Sequence, residues 1–475
     1  MKGRRIAAAL TGCILTIGPV ALAAQQAASP TPDPQQLPGT GEQVHTGVSS
    51  GLDTEARIQN LLADHQFIRI ESQLGDLSPA EARFYRGILA NRNNDLKASI
   101  QLLEPLIDQV AASGNTIREK ILRKTLAEDY LRSGNLASAA KAYQSLEIRL
   151  KDHLSPDELD EIELPLKLLP LAASNPPMTV EPYDLFHLQV GKNPLGVTEL
   201  PVYVDARSHS FMLDPTAPFN LIARSLAKEA GLTVSDQSAT IHTLTGHPMQ
   251  VHVTVIPRFT IGGRITFRNM TAFVFEDADY FFPRSHFQVE GVLGYPALSA
   301  LGSLTIAADD TIDVVPFKQQ KTAENSALAE KNSGNETDDH PLPGARFFLD
   351  GDQMIVALGD AGQERMYVVD ASSQQTYLTS RYYDEHAAEF TGQKMELFSL
   401  PGQQSGAPQP AFVAETVPLI IGPDAVDVHY IQVLTQPLGS ALLDDVYGLL
   451  GLDVLDQLRS YTFDYRTMHF SVKAE

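Results

Sequence analysis

The sequence predicts a multidomain protein in which an α-helical N-terminal region precedes an all-β domain built from two copies of one unit. Three observations predict it. Apolar residues recur at helical spacing from about Thr54 to Ala173. Alternating apolar residues with Gly and Pro punctuation take over near Asn175-Pro176-Pro177. From there to Val472 the chain repeats itself in order and in register.

The chain opens on a targeting signal. Lys2, Arg4 and Arg5 precede an apolar run from Ile6 to Ala24, and Ala21-Leu22-Ala23 offers a small-x-small cleavage site. Residues 1–23 therefore read as a signal peptide, and the mature chain is expected to be exported, either periplasmic or secreted. The alternative is a lipoprotein, because Leu10-Thr11-Gly12-Cys13 resembles a bacterial lipobox. Cys13 is the only cysteine, so ordinary cleavage leaves a chain without a disulfide or thiol chemistry. No other stretch is apolar enough to cross a membrane, and no span is expected after cleavage. Residues 24–53, rich in Pro, Gln, Ser, Thr and Gly, read as a flexible tether.

A helical region is expected over 54–173. From Leu126 to Tyr143, small and large apolar residues recur on both sides of Gly134-Asn135, which gives two short antiparallel helices joined by a turn. A looser copy lies 40 residues upstream, with Phe84-Tyr85 and Gly87 before the turn Asn93-Asn94-Asp95, then Ala98, Ile100 and Leu103. A third hairpin is read around Leu61 to Leu74. These units resemble tetratricopeptide repeats, although that family's period is nearer 34 residues. An ordinary helical bundle accounts for the same pattern. The resemblance implies a concave surface for a protein partner.

The all-β domain begins near residue 178. Phe211-Met212-Leu213-Asp214 corresponds to Tyr367-Val368-Val369-Asp370, 156 residues later. Gly291-Val292-Leu293-Gly294 corresponds to Gly448-Leu449-Leu450-Gly451, 157 residues later. Beyond the turn, Ser303-Leu304-Thr305-Ile306 matches Ser460-Tyr461-Thr462-Phe463, and each copy closes with a hairpin. The copies span 178–317 and 345–475. Between them, 318–344 is polar, nearly without large apolar residues, and reads as a solvated linker.

An apolar strand ending in Asp, a helix, and an apolar-Gly turn feeding a last hairpin resemble one lobe of a retropepsin-type aspartic protease. Two such lobes in one chain resemble the pepsin arrangement. Asn220-Leu221-Ile222 and Leu226 to Leu232 are similar to the segment that follows the aspartate in that family, with Tyr377-Leu378 and Arg381-Tyr382-Tyr383 in the second copy. The resemblance implies that Asp214 and Asp370 face each other between the lobes, share a proton and activate water against a peptide bond. It also implies supporting roles for Thr216, Ala217, Ser372 and Ser373, for the turn glycines Gly291, Gly294, Gly448 and Gly451, and for candidate flaps at Thr243-Leu244-Thr245-Gly246-His247 and Phe390-Thr391-Gly392.

The motifs depart from the family in matching ways. Where Asp-Thr-Gly is expected the chain has Asp214-Pro215-Thr216 and Asp370-Ala371-Ser372. Pro215 and Ala371 lack the hydroxyl that ties the two loops together, and Thr216 and Ser372 carry side chains where Gly is expected. In each copy a hydroxyl survives one residue later.

Other chemistries receive less support. A formal net charge of −22 argues against a protein that grips nucleic acid through phosphates. His242, His247 and His252 lack ligand spacing, so no metal site is expected, and no cofactor is implied. Two functions follow. One is an exported aspartic endopeptidase with a polypeptide substrate in the inter-lobe cleft. The alternative is a catalytically inactive lobe pair that binds polypeptides, with the helical region holding a protein partner.

Overall fold

Ser-Pro-x-Glu occurs twice in the helical region, and each time it starts a helix. In the computed structural model, Ser78 caps α3 (Pro79–Arg92) and Ser155 caps α8 (Pro156–Ala172). Each Ser hydroxyl accepts from the amide three residues on, while the Glu carboxylate accepts from the Ser amide. Pro at the first helical position has no amide to satisfy, so it fixes the start without loss.

The structure describes residues 49–242, 248–283, 285–317, 344–351, 353–359, 364–400, 408–438 and 441–473. The signal segment with Cys13, most of the tether and most of the linker lie outside them. No helix among the described residues is long and apolar enough to cross a membrane.

The remaining helices are α1 (Ser49–Ala63), α2 (Phe67–Gln73), α4 (Leu96–Leu103), α5 (Ile107–Ala112), α6 (Thr116–Arg132) and α7 (Leu136–Leu150). Helix α1 starts inside the stretch read as tether, because adding residues to an existing helix needs no new nucleus. The turns α3–α4 and α6–α7 are built alike, 40 residues apart. Asn94 and Gly134 take positive φ, 57° and 75°, and Asp95 and Asn135 cap the next helix through their side chains. Asp95 N–H donates to Ala90 O, and Asn135 N–H to Tyr130 O, each at the same position in its turn. The α1–α2 turn at Asp64-His65 is the third hairpin.

The β region contains two units of the same topology. Strand Arg207–Leu213 pairs in parallel with Gly291–Leu293, which pairs antiparallel with Leu221–Ala223. In the second copy Arg365–Val369 pairs in parallel with Gly448–Leu450, which pairs antiparallel with Tyr377–Leu378. In each copy a long hairpin lies alongside, Pro248–Ile261 with Ile265–Phe275 and Gln409–Ile421 with Asp424–Leu434.

Three strands from each copy meet in one continuous sheet. Their order is Phe186–Gln189, Thr311–Val315, Ser303–Ala307, Ser460–Asp464, His469–Lys473 and Ala345–Asp350. The seam is antiparallel between Ser303–Ala307 and Ser460–Asp464, with Thr305 opposite Thr462. Those threonines are equivalent in the repeat, so an approximate two-fold axis passes between them.

The helical region does not stand apart. Ile58, Phe67 and Ile70 share a buried core with Phe348, Ile355 and Leu449 of the second lobe, and the Phe67 and Phe348 rings lie 5.0 Å apart. At the rim of this contact Arg346 holds both carboxylate oxygens of Glu71 at 2.7 and 2.8 Å, and Arg92 lies 2.6 Å from Asp350. Helix α8 instead places Leu164, Leu168 and Ala172 in the first lobe's core, against strands Ala239–His242 and Pro248–Ile261. The helices thereby bridge both lobes.

Candidate active site

Each aspartate strand is buried toward its end, so the residue that follows is delivered into the interior: Asp214 is 2% exposed and Asp370 0%. Asp214 N–H still donates to Leu293 O at 3.1 Å, and Asp370 N–H to Leu450 O at 2.9 Å. The backbone stays in the ladder at this residue and turns away after it.

The two carboxylates are held alike. Asp214 Oδ1 accepts from Thr216 N–H (3.1 Å), Thr216 Oγ1 (2.8 Å) and Ala217 N–H (3.1 Å). Asp370 Oδ1 accepts from Ser372 N–H (3.0 Å), Ser372 Oγ (3.1 Å) and Ser373 N–H (2.9 Å). Thr216, Ala217, Ser372 and Ser373 are therefore brought to the aspartates as expected. The displaced hydroxyls belong to the carboxylate cradle.

Three donors on one oxygen favour the charged form, but burial opposes it. Burial raises the Asp214 carboxyl above its ordinary range, against the pull of the Thr216 and Ser372 hydroxyls. The Ser372 hydroxyl, which holds Asp370, thus also favours the charged form of Asp214. Burial pushes Asp370 well above the usual range, and the negative charge of Asp214 pushes it further. Asp370 Oδ2 is buried without a hydrogen-bond partner. Two buried carboxyls that interact lose their protons in separate steps that belong to the pair.

A contact between the lobes exists where Pro215 removes a hydroxyl. Tyr465, from the second lobe, donates its phenol to Pro215 O at 3.4 Å, a long bond buried beside Asp214. Its ring packs edge-on against Tyr295, with centroids 5.7 Å apart.

The turn glycines are required by close approach. A Cβ on Gly294 would lie 2.3 Å from Phe219 O, and one on Gly451 would lie 2.8 Å from Gln375 C. A Cβ on Gly291 would meet the Phe211 ring at 2.4 Å, and one on Gly448 would meet Leu378 at 2.7 Å. Two polar residues complete these turns: Asn220, which sequence reasoning places in the segment after the aspartate without giving it this role, and Thr376, which it does not name. Asn220 Oδ1 accepts from Gly294 N–H at 3.1 Å, and Thr376 Oγ1 accepts from Gly451 N–H at 2.7 Å. They sit six residues after their respective aspartates, and that shared offset is the signal that finds them.

The candidate flaps fare differently. Gly246 and its neighbours 243–247 lie outside the described residues. Gly392 is not a hairpin tip, which corrects the expectation. It follows the 3₁₀ turn Ala387–Phe390 with φ 82°, the position that Gly231 (φ 65°) occupies after helix Arg224–Glu229. The second lobe's counterpart of hairpin Ala239–His242/Pro248–Ile261 is Glu396–Phe398 with Gln409–Ile421.

Comparison with known proteins gives limited likenesses. No curated protein matches the chain. A retropepsin-like aspartic protease from Rickettsia conorii is similar at 14% identity, covering 30% of this chain and 95% of its own, with a TM-score of 0.20. Basic 7S globulin from soybean is similar at 11% identity, covering 62% of this chain and 95% of its own, with a TM-score of 0.36. Residues 200–297, which hold Asp214 and the Gly291–Gly294 turn, match the family described as aspartyl protease, and this part of the first lobe is aspartic-protease-like.

Proposed function

We propose that the protein is an exported aspartic endopeptidase in which Asp214 and Asp370 hydrolyse peptide bonds of a polypeptide held between the lobes. One observation carries this reading. Two buried carboxylates stand at equivalent positions of a duplicated unit, with matching cradles and with the charge of Asp214 raising Asp370. Asp214, ionised, removes a proton from a water molecule. Asp370, protonated, donates to the substrate carbonyl as the water oxygen bonds to its carbon. The resulting diol collapses as Asp214 passes its proton to the amide nitrogen and Asp370 takes one from a diol hydroxyl; the C–N bond breaks, and an acid and an amine leave.

A second reading is supported by the loss of both hydroxyls at Pro215 and Ala371 and by the deep burial of both carboxylates. In it the lobes bind polypeptides without cutting them, and the tetratricopeptide-like helices hold a protein partner. Incubation with a reduced, alkylated polypeptide between mildly acidic and neutral pH decides between the two. Cleavage that disappears in both Asp214→Asn and Asp370→Asn establishes the dyad. Cleavage that survives either change rejects it, and binding without cleavage selects the second reading.

A further inference from the structure

Where the helices meet the two lobes lies a cavity of about 440 Å³, within the range of roughly 300–1,000 Å³ that small-molecule sites occupy. Ala63 and Pro176 line it and are themselves exposed, so it opens to solvent.

Its lining is of two kinds. The first lobe contributes Met178, Phe219, Phe273 and Pro296, and α8 adds Leu164 and Leu169. Asn220 also lies on this side, but its amide is already engaged: its oxygen accepts from Gly294 N–H at 3.1 Å, and its nitrogen donates to Thr271 O at 3.2 Å. The first-lobe side is thus an apolar surface.

The rest of the lining is charged, and its charges are matched among themselves. Lys124 lies 2.5 Å from Glu161, and His65 lies 2.8 Å from Asp350. Arg92 reaches Asp350 at 2.6 Å and Glu128 at 3.2 Å. Arg132 donates to Asn91 O at 3.0 Å and stands 3.9 Å from Glu128. Asp445, on the same side, feels the positive field of His65 and Arg381. Neither sign is left in excess for a charged ligand to neutralise.

We propose that this cavity binds an uncharged amphiphile, with its hydrocarbon body against the first lobe and α8 and a hydroxyl head toward the paired charges. Apolar area taken from water supplies the affinity, at about 25 cal/mol per Å². A hydroxyl can bond to an ion pair without disturbing its balance. An ionic head would give up its water with no countercharge to receive it. The site does not depend on whether the dyad cuts.

The test titrates the full-length protein with the neutral fluorophore N-phenyl-1-naphthylamine, then displaces it with 1-decanol, decanoate or decyltrimethylammonium. Saturable binding is expected, and decanol is expected to displace the fluorophore at roughly tenfold lower concentration than either ion. Leu136→Trp fills the cavity from α7 and is expected to weaken the fluorophore roughly tenfold or more. Should that variant fail to fold, Ser299→Trp fills the cavity from the first lobe and has the same expected effect. Glu161→Gln releases Lys124 from its partner and is expected to bring decanoate level with decanol while decyltrimethylammonium stays weak. No saturable binding, affinity unchanged in the folded Trp variants, or equal displacement by all three chains in the native protein overturns the proposal. Cleavage plays no part in these readouts, so failure of the peptidase reading leaves the cavity standing, and failure here leaves the dyad untouched.

Discussion

The Thr305 hydroxyl lies 2.8 Å from the Thr462 hydroxyl, and the two residues are each other's counterparts in the repeat. A hydrogen bond between equivalent residues marks the place where the two copies pass into one another. Thr305→Val leaves the buried Thr462 hydroxyl without its partner and is expected to cost about 1–3 kcal/mol. The double variant Thr305→Val/Thr462→Val is expected to cost less than the two single changes added together. Urea unfolding of the full cycle measures the coupling.

Gly294→Ala and Gly451→Ala each force a methyl group against a backbone oxygen or carbon of the aspartate loop. Each is expected to destabilise by roughly 1–3 kcal/mol or more, since the neighbour is backbone and cannot rotate away. Under the proposed peptidase reading, activity of either variant is expected to fall by more than stability alone accounts for, because the same loop holds the carboxylate. Denaturation midpoints and turnover measured on the folded fraction separate the two effects.

Asp129 is buried between the Ser99 hydroxyl (2.6 Å) and the Asn91 amide (2.8 Å). Burial, only partly offset by these two donors, raises its carboxyl to about 6. A carboxyl raised on folding stabilises the protein below its unfolded value, near 4, and that contribution is lost as pH rises through about 6. Asp129→Asn is therefore expected to flatten the fall in stability between those values. Thermal unfolding across that pH window, native against variant, reads the difference.

Ser372 donates to Asp370, and its hydroxyl favours the charged form of both carboxylates. Ser372→Ala removes that preference, so both carboxyls are expected to titrate at higher pH. Under the proposed peptidase reading, the whole bell of activity against pH is expected to move upward. A uniform loss of rate without displacement of either limb would assign Ser372 a purely structural role.

Phe67→Ala empties a site shared by the helices and the second lobe and is expected to cost about 3–5 kcal/mol. Amide exchange should rise together in α1, α2 and the strand Gln353–Leu358. The strand Arg207–Leu213 of the first lobe is expected to keep its protection. A rise confined to the helices would mean that the shared core is not one cooperative unit.

Much of the frame was legible because it is repeated. Local features written twice stand out against a single sequence: the Asp strands, the Gly turns, and the two helical turns 40 residues apart. The shared role of Asn220 and Thr376 is not legible because the same task, accepting one amide, is done by chemically unlike residues. Gly392 was misplaced because the second copy lengthens its helix with a 3₁₀ turn, moving the terminating Gly further from its Asp. The docking of the helices left no mark in the sequence. An apolar helix face looks the same whether it meets another helix or a sheet.

The shared core also sets an order of assembly. Glu71 and Arg346 are 275 residues apart in the chain, and the whole first lobe is made between them. At ordinary translation speeds the face carrying Phe67 and Ile70 waits roughly 14–55 seconds for its partner strands to be synthesised. Through that interval the newly made helices leave Phe67 and Ile70 without the strands that bury them. Truncating the chain after the first lobe would make that waiting state permanent and leave strand Ser303–Ala307 unpaired as well, and the fragment should aggregate.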